Sequence, residues 1–301
     1  MNYYDEIKNE LLNNEINKKV KNYSINKSDL KTYYNVGKMI SEDGKHYGEN
    51  IIKQHSERLK SEVHKKYNTT LLKRIRQFYW LIEKGATLSH QLSWSHYVEL
   101  LPIKNIDEIN YYINQVCINN IDIRTLRTIV KSREYKRLDK ETRLKLINKE
   151  ESNVVDFVKN PILIKNSYNY DNISEKLLQK LILDDITSFM KELGSGFSFI
   201  DNEFKIKVGN SYNYIDLLLY NIRFKCYVVI ELKVTKLNSN HTGQIQNYMN
   251  YIDKNIKTIE ENDTVGIIIC KQDNEYVIKY CSDNRIIARE YKLLWYNAAE
   301  I

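Results

Sequence analysis

Polar and apolar positions change their period near the middle of the chain. Through residues 1–150, apolar side chains recur at three- and four-residue steps, as in Leu72, Ile75, Tyr79 and Ile82. That is the period of an amphipathic helix. Gly44 and Gly48 predict a loop in the first part, and residues 85–93 predict another. Pro102 suits the start of a helix ahead of residues 106–116. A further helix is expected over 123–135, carrying Arg124, Arg127, Lys131 and Arg133. Residues 136–170 are polar, with Pro161 inside, and a domain boundary is expected near residue 150.

The second half reads differently. Residues 174–193 form an amphipathic helix pattern, with Ser174 or Asn172 as its cap and Gly194 as its stop. Short β-branched and aromatic runs follow at 197–200, 203–208, 214–220 and 226–233, separated by Gly209-Asn210 and residues 221–225. This is the pattern of a strand meander. A helix is expected over 243–256, with Ile245, Met249 and Ile252 on one side. Residues 265–270 are wholly apolar, as a central strand requires, and 276–281 and 286–291 complete the expected strands. The expected architecture is an α-helical domain over 1–150 and an α/β domain with a mixed central sheet over 151–301.

Composition narrows the class. The 301 residues are 42% hydrophobic and 28% charged, as in globular proteins. No run of about 18 apolar residues exists to span a membrane. The start, Met1-Asn2-Tyr3-Tyr4-Asp5-Glu6, is not a secretory signal. Cys117, Cys226, Cys270 and Cys281 form no C-x-x-C pair, which predicts reduced thiols in a cytoplasmic protein. Residues 1–150 hold 28 Lys and Arg against 19 Asp and Glu, a net of +9; the remainder nets −2, giving the total of +7. A polyanion would therefore be held by the first half.

The chemistry sits in the second half. Asp216 lies inside the apolar run Tyr214-Ile215-Asp216-Leu217-Leu218-Leu219-Tyr220. Fifteen positions on, Glu231 and Lys233 lie inside Val228-Val229-Ile230-Glu231-Leu232-Lys233. A carboxylate in a buried strand is costly unless something pairs with it. Two carboxylates on neighbouring strands suit Mg²⁺ (or Mn²⁺) acting on a phosphodiester, and the Leu232 carbonyl is a natural further ligand. Glu231 and Lys233 are two apart and face one side of the sheet. Lys233, partly desolvated, is expected to have a lowered pKa and to orient water or stabilise phosphate charge. Gln244 on the next helix could hold water or substrate. Glu192, at the end of the preceding helix, could supply another carboxylate, and Glu203 an outer role.

These residues resemble the PD-(D/E)XK nuclease superfamily, with Ile215 where a proline is usual. Gly194, Gly196, Phe197 and Phe199, the Tyr214–Leu218 and Val229–Lys233 blocks, Gly243-Gln244, Tyr248, Tyr251 to Asp253, and Gly266 to Cys270 resemble the nuclease domain of the YhcG-like family. Tyr34, Gly37, Lys38 and Ile40, Tyr47-Gly48, Arg76-Gln77-Phe78-Tyr79 and Leu92-Ser93-Trp94-Ser95-His96 resemble the same family's N-terminal domain. The resemblance implies a helix-turn-helix-like first domain and a restriction-endonuclease-like second one. It gives Asp216, Glu231, Lys233, Gln244 and Glu192 active-site roles.

In the first half, Lys73, Arg74, Arg76 and Gln77 lie on a predicted helix that could meet DNA. His96, beside Trp94, reads as a packing or capping residue rather than a catalytic one. The expected function is a metal-dependent endonuclease acting on DNA, with a homodimer left open. The alternatives are a catalytically silent module on the same fold that binds nucleic acid or protein, and an RNA-directed nuclease.

Overall fold

A computed structural model describes residues 3–20, 25–47, 50–170 and 172–295. The chain divides into two compact units, Met1–Tyr135 and Lys136–Ile301.

The first unit is built of helices: α1 (Tyr3–Val20), α2 (Ile25–Tyr47), α3 (Ile51–Glu62), α4 (Thr69–Glu83), α5 (Trp94–Leu100), α6 (Ile106–Asn119) and α7 (Ile123–Lys131). Asn68 caps α4 by accepting the Leu71 N–H at 2.9 Å. The buried stripe of α4 is Leu72, Ile75, Phe78 and Leu81, so it runs one position to the side of the expected Tyr79 and Ile82. It packs on α2, where Leu30, Tyr33, Val36 and Ile40 are buried. The two helices meet at Gly37, where a Cβ would lie 2.6 Å from the Ile75 carbonyl oxygen. Gly44 lies inside α2 rather than in a loop, because α2 keeps its apolar period through Ile40 and one glycine costs a helix only about 1 kcal/mol. Gly48 lies outside the described residues. His96 caps α5: its Nδ1 accepts the Ser93 N–H at 3.0 Å.

The expected helix over 123–135 ends early. Arg133 takes a left-handed backbone, φ +54°, and the short α8 (Glu134–Arg137) follows. The polar stretch after it is folded into the second unit. It contains α9 (Lys140–Asn148), a 3₁₀ turn (Val154–Phe157) and β1 (Ile162–Asn166). Within β1 the apolar Ile162 and Ile164 point inward while Lys165 is exposed, which hid the strand in a polar context. Arg289 anchors this stretch, donating to the Val158 carbonyl at 2.9 Å and to Asp139 at 2.7 Å.

Next come α10 (Glu175–Asp184) and α11 (Ile186–Leu193), which divide the single helix expected over 174–193. Asp185 breaks it, capping α11 through the Ser188 N–H at 3.1 Å. The remaining elements are β2 (Phe197–Val208), β3 (Ser211–Asn221), β4 (Cys226–Lys236), α12 (Ser239–Asn255), β5 (Asn262–Gln272), α13 (Glu275–Lys279) and β6 (Ile286–Trp295). The two runs expected over 197–208 are one strand, interrupted where the register shifts between Phe199 and Asp201. The strand expected over 276–281 is instead the helix α13. Both neighbour positions of β5 are already taken, by β4 and β6.

The sheet runs β1-β6-β5-β4-β3-β2. It is antiparallel from β2 to β4 and parallel from β4 to β1, as the mixed sheet expected. Strand alternation gives it two covered faces. Val228, Ile230 and Leu232 face α10 and α11, against Leu178, Leu181 and Phe189. Val229 and Ile268 face α12, against Ile245, Met249 and Ile252. Cys226 and Cys270 are buried free thiols, and burial pushes them up to about 11 and about 12. Among the described residues no helix is long and apolar enough to cross a membrane.

Candidate active site

Strands β3 and β4 pair from Asn221↔Cys226 up to Leu217↔Ile230, and there the ladder stops. The next residues are Asp216 on one strand and Glu231, Leu232 and Lys233 on the other. Their side chains replace the missing backbone bonds. Asp216 Oδ2 accepts the Leu232 N–H at 2.8 Å. Gln179 of α10 donates to the Asp216 carbonyl at 3.0 Å. The N–H and carbonyl of one strand residue face the same neighbour, so the Leu232 carbonyl faces the Asp216 side too.

Glu231 is 1% exposed. Its Oε2 lies 3.1 Å from Lys233 Nζ. Its Oε1 is buried and has no hydrogen-bond partner among the described residues. Burial pushes the Glu231 carboxyl up to about 8; the Asp216 charge adds to the shift and Lys233 opposes it. Burial also raises Asp216, against the Leu232 amide and Lys233.

Lys233 departs from expectation. Burial alone would lower it, but Glu231, Glu175 and Asp216 together carry it above the ordinary lysine value. Three carboxylates outweigh partial desolvation, so Lys233 is an ammonium ion at neutral pH. Glu175, the first residue of α10, lies 3.6 Å from Lys233 Nζ. Sequence reading missed Glu175. Its only signal was a carboxylate just after the Ser174 cap of the helix preceding the sheet.

The structure does not bring Glu192 to this group. Its carboxylate pairs with Arg137 and accepts the Leu163 N–H at 3.0 Å, fastening α11 to β1. Gln244, in α12, donates from Nε2 to the Tyr248 hydroxyl at 2.9 Å. Tyr248 is raised chiefly by burial, with Glu231 and Asp216 also contributing, so the Gln244–Tyr248 pair stands within electrostatic reach of the carboxylates. His241, in the first turn of α12, is lowered by burial and by Lys233. It too was not anticipated. Glu203 stands opposite Asp216, between the pairs Asn202↔Leu217 and Phe204↔Ile215, with φ +52°. A left-handed non-glycine residue inside a strand is uncommon and locally strained.

The set fits a divalent cation. A deeply buried carboxylate with an unsatisfied oxygen, beside a second carboxylate and a backbone carbonyl, is a hard-oxygen donor set for Mg²⁺. Among the described residues no group of three His, Cys, Asp or Glu could form a ligand set from side chains alone. Mg²⁺ commonly binds one or two carboxylates and keeps several waters, so two suffice.

In the first unit, Lys73, Arg74 and Gln77 are exposed on α4. Arg76 is half-buried, its guanidinium 4.8 Å from the Trp80 ring centroid. Arg74 lies near enough to Glu99 to help lower that carboxyl, behind Arg127.

Comparison with known proteins gives a family to each half of the chain. The YhcG PDDEXK nuclease domain matches residues 155–299, and the DUF1016 N-terminal domain matches residues 8–137. The protein of Escherichia coli (strain K12) named "Putative nuclease YhcG" is 23% identical over 90% of this chain and 84% of its own length. Among solved structures, a repair endonuclease from Pyrococcus abyssi is 18% identical, with a TM-score of 0.29, over 43% of this chain and 50% of its own. An EndoMS–dsDNA complex is 16% identical, with a TM-score of 0.29, over 43% of this chain and 48% of its own. This chain thus spans about half the length of those two structures. With both domain families in order along it, the chain belongs to the YhcG family of PDDEXK nucleases, a DUF1016 N-terminal domain followed by the nuclease domain.

Proposed function

We propose that this nuclease is a divalent-metal-dependent endonuclease that hydrolyses phosphodiester bonds of DNA. The observation that carries the reading is the buried, unsatisfied Glu231 oxygen beside Asp216, at the point where the β3–β4 ladder opens. Asp216, Glu231 and the Leu232 carbonyl would hold Mg²⁺ (or Mn²⁺). When bound, such an ion neutralises phosphate charge and acidifies a water.

The remaining steps belong to the chain's own side chains. Lys233 Nζ, kept protonated by its carboxylate neighbours, offers a positive charge to a non-bridging phosphate oxygen as charge builds there. It is placed to stabilise that charge or to orient the attacking water. Glu175 holds Lys233 from the outer side. Gln244 spends an amide N–H on Tyr248, which fixes its orientation and leaves its amide oxygen to accept from water or substrate. The basic first unit, with Lys73, Arg74, Arg76 and Gln77 on α4, would hold the nucleic-acid backbone.

The test is a cleavage panel of plasmid, linear and branched DNA and structured RNA, with Mg²⁺, with Mn²⁺ and with chelator. The expected result is cutting of DNA that requires the cation. Cutting of RNA alone would move the reading to an RNA-directed enzyme. Binding to any of these without cutting would favour a silent module on the same fold.

A further inference from the structure

We propose that the β2–β3 hairpin is a nucleic-acid grip whose tyrosines stack on unpaired bases and whose lysines hold the strand that carries them. This rests on the nuclease reading above and names the form of substrate that the nuclease domain contacts. β2 is one of the two edge strands of the sheet. Its outer half pairs with β3 as Lys205↔Tyr214, Ile206↔Asn213 and Lys207↔Tyr212, closed by Val208↔Ser211. Alternation divides the two faces of this ribbon. Ile206 and Ile215 are buried in the cluster that α12 covers, with Phe204 packed against it. Lys205, Lys207, Tyr212 and Tyr214 stand together on the other face, and all four are exposed.

Tyr212 and Tyr214 are 56% and 52% exposed, too much for packing residues. Lys205 lies over the Tyr212 ring, 3.9 Å from its centroid, which holds the ring in place. No ion pair to Lys205 or Lys207 occurs among the described residues, so both charges are available to phosphates. Alternating aromatic rings and ammonium groups on an open ribbon supply the two contacts that single strands use, base stacking and phosphate attraction. Place strengthens the case. Tyr214 is two residues before Asp216 on the same strand, roughly 7 Å along it. Acidic Glu203 lies at the inner end of the ribbon and the lysines at the outer end, so a strand is drawn by the tip.

The experiment measures binding of a fluorescein-labelled single-stranded oligonucleotide, and of the same strand in duplex, to the full chain in chelator, where no cutting intervenes. Tyr212→Leu and Tyr214→Leu remove the rings but keep apolar bulk; Tyr212→Phe and Tyr214→Phe keep the rings. The expected result is roughly tenfold weaker single-strand binding for each leucine variant, near-normal binding for the phenylalanine variants, and little change on duplex. The double variant Lys205→Gln, Lys207→Gln should lower the salt slope of single-strand binding by about 0.7 per lysine. Leucine variants that bind single strands as wild type does, or a wild-type chain that binds only duplex, would overturn the proposal. Cleavage measured in parallel with Mn²⁺ separates the two readings. A chain that binds through its tyrosines and never cuts keeps the grip and loses the nuclease. One that cuts, with its leucine variants binding normally, does the reverse.

Discussion

Glu231 shows what a single residue costs and what it is kept for. Its carboxyl moves from an ordinary value of 4.5 to about 8 in the folded chain. Between those values the folded state holds a proton that the unfolded state has released. Stability therefore falls as pH rises through that window, the reverse of the usual ion-paired carboxylate. Glu231→Gln should melt a few degrees above wild type near pH 9 without metal, and the gap should close towards pH 5. Added Mn²⁺ should raise the melting temperature of wild type and not of the variant. Thermal melts across pH check this; a variant less stable than wild type at high pH would contradict it. A side chain that weakens its own fold at working pH is what a binding site leaves behind.

Among the secondary-structure elements, two glycines set how closely neighbours approach. At Gly37 an added Cβ would meet the Ile75 carbonyl oxygen and Tyr79 Cβ, neither of which can step aside. At Gly266 in β5 it would meet Met249 Sδ at 2.6 Å and Ile245 Cδ1 at 3.0 Å, the flexible ends of α12 side chains. Gly37→Ala should therefore cost about 2–3 kcal/mol and Gly266→Ala about 1 kcal/mol. Denaturant unfolding of the two variants would show the ranking, and a neutral Gly37→Ala would refute the close α2–α4 crossing.

The same elements show what the sequence carried. The meander and the Asp216, Glu231 and Lys233 positions were legible because buried strands write an apolar run in which one charge stands out. β1 was not legible, since its apolar run, Ile162 to Ile164, is only three residues long inside a polar stretch. Nor was the break at Asp185, where a capping carboxylate splits an unbroken apolar period. That break matters to the site. It separates Glu175, which reaches Lys233, from Glu192, which is spent on Arg137 and Leu163. α13 was misread because β-branched and aromatic residues describe a strand only where a neighbouring strand has room for it. Lys233 is lowered by burial but raised more by Glu231, with Glu175 and Asp216 adding, a balance that could not be read before the fold was known.

For the whole molecule, charge and chemistry are divided between the two halves of the sequence. The first 150 residues carry the positive excess, and the carboxylate site lies in the half that nets −2. An excess of cations attracts any polyanion, so binding alone says little about which residues do chemistry. Cleavage does. The deciding measurement is Mn²⁺- or Mg²⁺-supported cutting of plasmid DNA by wild type, Asp216→Ala and Lys233→Ala, purified in parallel and each confirmed folded by thermal melting. The account predicts cutting by wild type and a loss of at least about 10²–10³-fold in both variants, with DNA binding retained. Folded variants that cut as fast as wild type would place the chemistry elsewhere.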